Sequence, residues 1–130
     1  HLSPLIGSAF NGDEGTFRLL LENGANTEVV DTSGKSALVY AAGRGFVDIV
    51  RAILDTGIDV NKTYGNNLTA LMWAAGYSND VPPTDAVKTV KLLLKRGARI
   101  GLKDNRGKTA REIAADMGHQ QVFKVLDQAK

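Results

Sequence analysis

Only two side chains in this sequence have ordinary titration points near neutrality, His1 and His119, so a proton relay or a metal centre would have to be built around one of them. Neither has the company such chemistry needs. There is no cysteine to serve as nucleophile or thiolate ligand, and no GxSxG, GxxxxGK[ST] or HExxH segment occurs. The carboxylates Asp13, Glu14 and Asp48 fall where helices of a repeating pattern would begin, a place the helix dipole favours without any catalytic demand. Catalysis, cofactor binding and metal ligation are therefore not expected. What the residue types do offer is recognition. Tyr40, Trp73 and Tyr77, with Arg44 four residues after Tyr40, are of the kinds that most often anchor protein interfaces.

The elements that must carry these side chains are repeats. "SPLIGSAFNG" from Ser3, "SALVYAAGRG" from Ser36, "TALMWAAGYS" from Thr69 and "TAREIAADMG" from Thr109 align without gaps, at spacings of 33, 33 and 40 residues. The glycines of "LLLENGAN", "AILDTGIDVN" and "LLLKRGAR" repeat at 33 and then 40, so the seven extra residues lie between Trp73 and Leu92, at "SNDVPPTD". The expected units are residues 1–30, 31–63, 64–103 with an insertion at 78–85, and 104–130 as a C-terminal cap. Each reads as two short helices and a polar turn. Ser3, Ser36, Thr69 and Thr109 stand as N-caps, and Gly24, Gly57, Gly97 and Gly118 end second or first helices in the left-handed conformation. In the insertion, the prolines rule out helix at Val81, and Thr84 or Asp85 is expected to cap a helix starting near Ala86. No unit this short can bury its apolar faces alone, so the units must stack.

Turn, "G-x-[ST]-[AP]-L", a small-residue pair, Gly, an apolar helix, "GA" and the 33-residue period together resemble the ankyrin repeat over essentially the whole chain. The resemblance implies an all-α solenoid of stacked helix-turn-helix units with short β-turn fingers. It also implies a non-catalytic module that binds a partner protein or peptide in the groove formed by turn tips and first helices. Departures from the pattern are equally informative. The histidine usual after "T-P-L" is replaced by Ile6, Val39, Met72 and Glu112, so coupling between units is expected to lean on packing, with Met72 in the core. Tyr64 and Asn67 replace the aspartate and glycine of the third turn, which should be atypical.

Carried over position by position, the resemblance puts Phe10, Tyr40, Arg44, Trp73, Tyr77 and Met117 on the groove side of first helices and Lys35, Asn66, Arg106 and Lys108 on turn tips. Tyr40 and Trp73 occupy equivalent places, and Tyr77 should lie one helical turn beyond Trp73. These ten residues are the expected partner-binding set. The alternative is that the aromatics only pack, and that the chain is a spacer or stabilising segment of a larger protein. Leu5, Ile6 and Phe10 make a poor polar cap for the first unit, which favours a larger parent chain, while Val122, Phe123, Val125 and Leu126 face the stack in the last unit and Gln121, Lys124, Asp127 and Lys130 face water.

Charge is unevenly spread. Residues 1–61 carry four basic and eight acidic side chains, and residues 62–130 carry twelve and six. Lys62, Lys103, Arg106, Lys108 and Arg111 should give a basic finger edge, suited to an acidic segment of a partner facing the C-terminal half. Nucleic acid is disfavoured, because no aromatics interleave with these cations and the net charge is only +2. A composition of 43% hydrophobic and 23% charged residues is ordinary for a soluble globular protein, and no apolar run approaches the roughly 20 residues of a membrane span. A monomer, or part of a longer chain, is expected, and localisation stays open.

Overall fold

A computed structural model describes residues 3–129; His1 and Lys130, named above, lie outside them. Among the described residues are eight α-helices: α1 (Pro4–Asn11), α2 (Glu14–Glu22), α3 (Ala37–Gly43), α4 (Val47–Leu54), α5 (Ala70–Ala75), α6 (Pro83–Lys95), α7 (Ala110–Asp116) and α8 (Gln120–Ala129). They pair in chain order and stack in two layers. α1, α3, α5 and α7 touch successively in one layer, and α2, α4, α6 and α8 in the other. The only pairing of extended backbone described is an isolated bridge between Val30 and Ser36.

Local chemistry explains why each first helix begins where it does. The hydroxyl oxygens of Ser3, Ser36, Thr69 and Thr109 each accept the backbone N–H three residues on, at 3.1 to 3.4 Å, which satisfies a donor the helix itself cannot. Alanine then fills the places between layers: Ala9, Ala41, Ala42, Ala74, Ala75, Ala110 and Ala114 are all but inaccessible. Larger side chains, Phe17, Ile49, Ile53, Val90, Leu93, Val122 and Leu126, come from the second helices and close the same core. Met72 is buried where the family usually has histidine, and its sulfur accepts the Thr69 N–H at 3.4 Å.

Four local expectations need correction. α6 starts at Pro83 with Pro82 as its cap residue, so Thr84 and Asp85 are first-turn residues, not caps. Proline's fixed φ and missing N–H suit the first helical position, and this lengthens α6 by a turn. Coupling between units is polar as well as apolar. Asn61 Nδ2 donates to Gly97 O at 3.1 Å while its Oδ1 accepts from Arg99 N, and Asn105 N donates to Asn66 O. In the first unit Leu5 and Ile6 are buried, and the exposed apolar groups are Phe10, Leu19, Val29 and Val30. In the last, Asp127 is only half-exposed and pairs with Arg111 at 2.8 Å. The third turn is atypical as expected: Asn66 and Asn67 both take φ of 62°, in a short 3-10 turn over Gly65–Asn67.

The insertion is packed. Ser78 N donates to Gly43 O at 3.0 Å, and Val81 is buried against Gly45, where a Cβ would stand 2.7 Å from Val81 Cγ1. The added residues are thus fastened to the α3–α4 connection of the preceding unit.

Candidate functional site: a three-unit hollow beside Trp73

Five of the ten expected partner-binding residues come together. Phe10 from α1, Lys35 from the second turn, Tyr40 and Arg44 from α3 and its cap, and Trp73 from α5 line a hollow of about 200 Å³, completed by Val39, Gly43, Gly76 and Ser78. It exists because α1, α3 and α5 are neighbours and because glycine stands at Gly43 and Gly76, the positions of α3 and α5 that align with Phe10. At Gly43 a Cβ would be in van der Waals contact with Trp73 Cε3, so the indole rests on bare backbone.

Tyr40 organises the hollow. Its ring meets Phe10 edge-on, with centroids 5.5 Å apart and planes at 87°, and its hydroxyl donates to the Asp31 carboxylate. Asp31 also accepts N–H bonds from Ser33 and Lys35, which builds the turn that presents Lys35. Burial opposes ionisation of Asp31, but the bonds from Ser33, Tyr40 and Lys35 outweigh it and hold the carboxyl well below the usual carboxylate range. Burial, and then the bond to the Asp31 carboxylate, raise the Tyr40 hydroxyl above the ordinary phenol value. The Lys35 ammonium lies 4.9 Å from the Trp73 ring centre and 5.5 Å from that of Tyr40, and the Arg44 guanidinium 4.7 Å from that of Phe10. Cations are thus interleaved with aromatic faces. Two donors here, Arg44 Nε and Trp73 Nε1, are buried with no acceptor among the described residues.

Trp73 is half-buried and also lines a second hollow of about 140 Å³, with Leu68, Met72, Gly76, Arg106, Ile113 and Met117. It is therefore a ridge between two depressions. Arg106 and Met117 join the site through this second hollow, and Met117 is 49% exposed.

Tyr77 does not join. α5 ends at Ala75, so the turn geometry that would have placed Tyr77 above Trp73 is lost. The ring is 6% exposed and stacks on His119 at a centroid distance of 3.7 Å, while His119 Nδ1 lies 2.8 Å from Ala75 O. Asn66 is exposed but engaged with Asn105. The expected basic edge is largely neutralised. Lys62 pairs with Glu28 at 3.2 Å, Arg106 with Asp104 at 2.7 Å, Arg111 with Asp127, and Lys108 with Asp116. Sequence reasoning passed over Val39, Gly43, Gly76 and Ser78 as site residues; the signal for Gly43, Gly76 and Ser78 was the small residues that follow each aromatic, and Val39, just before Tyr40, carried none.

Comparison with known proteins agrees with this architecture. A family model described as ankyrin repeats (3 copies) matches residues 5–104. Similar curated proteins include Dauer abnormal formation protein 25 of Caenorhabditis elegans, 35% identical over 127 residues, which is 96% of this chain and 31% of that protein. The ankyrin repeat protein YahD of Escherichia coli is 31% identical over 126 residues, 96% of this chain and 62% of its own length, and mouse inversin is 37% identical over 103 residues, 78% and 9%. The chain thus spans less than two thirds of each of these relatives. Ankyrin repeats generally mediate protein–protein interaction. With a 33-residue period, paired helices in two layers and a family match across most of its length, the chain belongs to the ankyrin repeat family.

Proposed function

We propose that the chain is a non-catalytic binding module and that a partner protein or peptide docks on the Trp73 ridge, reaching into the hollows on either side. The observation that carries this reading is the pair of buried donors, Arg44 Nε and Trp73 Nε1, on side chains that line one aromatic hollow. Buried polar atoms without a partner are rare and costly, so a ligand bringing a carbonyl or carboxylate oxygen as these side chains adjust would gain more than its contact area suggests. Tyr40, Phe10 and Lys35 would supply the surrounding surface, and Arg106 and Met117 the far side of the ridge.

Panning a displayed random-peptide library against the protein, with Trp73→Ala/Arg44→Ala as the counter-target, tests the reading. Enriched peptides should bind the wild type at least tenfold more tightly than the variant, given the typical cost of about 2 kcal/mol or more for truncating an anchor. Peptides that bind both equally would sink it. The burial of Tyr77 against His119 favours a packing role for that one aromatic, and leaves the other three to the site.

A further inference from the structure

With the finger edge neutralised, the uncompensated positive charge of the C-terminal half lies largely elsewhere, in the layer of second helices. Lys88, Lys91 and Lys95 recur on α6 at spacings of three and four, which makes a single stripe about 10 Å long. All three are exposed, and none has a hydrogen-bond or ion-pair partner among the described residues. The stripe borders a hollow of about 370 Å³ between α4 and α6. Arg51 and Arg96 also line it, but their charges are met by Asp48 at 2.8 Å and Asp55 at 2.6 Å, so the free charge belongs to the lysines. Half-buried Val47 and Leu92 give the recess an apolar component.

The geometry points to a second docking groove, between α4 and α6, for an acidic segment of a partner protein that carries carboxylates at helical spacing beside an apolar side chain. Charge complementarity selects the carboxylates and the Val47–Leu92 recess selects the apolar group. Among the described residues no aromatic side chain lines the hollow, so it offers single-stranded nucleic acid no stacking platform. A membrane surface would need exposed large apolar side chains to insert, and among the described residues α4 and α6 present none.

The test is fluorescence anisotropy at low salt with a labelled helical peptide bearing Glu at positions i, i+3 and i+7 and Leu between them. Each exposed ion pair contributes a factor of only about two to five, so reversing all three lysines should weaken binding by about tenfold or more. Lys88→Glu/Lys91→Glu/Lys95→Glu is expected to lose the peptide while Trp73→Ala keeps it, and a Gln-for-Glu peptide should not bind. The Lys→Gln triple variant, which alters surface groups more mildly, should give a smaller loss in the same direction. Equal binding to wild type and both triple variants would overturn the proposal, as would absence of binding by wild type. So would tighter, lysine-dependent binding of a DNA duplex or of phosphatidylserine vesicles. Because Trp73→Ala is the control here, failure of this groove and failure of the Trp73 site are distinguishable.

Discussion

The contact between Tyr77 and His119 ties the third unit to the last, and its removal has a calculable cost. In His119→Ala the buried Ala75 carbonyl loses the group 2.8 Å away, and leaving a buried acceptor unsatisfied costs about 1–3 kcal/mol. The stacked pair, 3.7 Å between centroids, adds about 0.5–1.5 kcal/mol beyond the area it buries. The expected loss is therefore about 2–4 kcal/mol, a large share of the roughly 5–15 kcal/mol that holds a domain together. Urea unfolding followed by circular dichroism reads it directly. With an m-value of about 1–3 kcal/mol/M, the midpoint should fall by about 1 M or more with the slope unchanged. Tyr77→Phe should stay near wild type, since the stack involves the ring, and a Tyr77→Ala/His119→Ala cycle should show coupling of at least about 0.5 kcal/mol. A His119→Ala loss below about 0.5 kcal/mol, the range of ordinary surface changes, would refute the reasoning.

Other expectations follow from single contacts. Gly45→Ala should cost more than about 1–2 kcal/mol in thermal unfolding, because Gly45 has φ of 73° and the new Cβ would press on Val81. Adding Val81→Ala should recover only the steric part. Asp31 has a folded-state carboxyl pKa below its ordinary value, so its stabilisation is fully present above about pH 4 and is lost as pH falls through the folded value. The stability gap between wild type and Asp31→Asn, measured by denaturant titration, should accordingly narrow steadily below about pH 4. Arg44→Ala should weaken partner binding by about tenfold or more while lowering stability by only about 0.5–1 kcal/mol, the worth of its contact with the Phe10 ring, because its buried Nε has no acceptor to lose.

How far the sequence reaches can be judged residue by residue. The period and the cap residues Ser3, Ser36, Thr69 and Thr109 were legible because a side-chain oxygen three residues from a helical N–H is a local arrangement. The meeting of Tyr40 and Trp73 was legible because stacking brings equivalent positions together, and Phe10, which aligns with Gly43, joins them from one helical turn further along α1. Tyr77 was misplaced because its face depends on whether α5 runs on past Ala75, and helix ends are set by tertiary contacts such as the one with His119. The start of α6 was misjudged although its signal, proline at the first helical position, stood in plain view. The neutralised finger edge was out of reach. Lys62 finds Glu28 thirty-four positions away, and Arg111 finds Asp127 across a helix pair, so the pairs follow from the stack and not from spacing along one helix.

The central claim, that partners dock on the Trp73 ridge, is tested most directly by the emission of Trp73, the only tryptophan in the chain. A peptide selected on the wild type would be titrated in while the emission maximum and acrylamide quenching are followed. Docking on the ridge predicts a blue shift and protection from quencher that saturate with the binding isotherm. Saturable binding measured by calorimetry with Trp73 emission and quenching unchanged would contradict it.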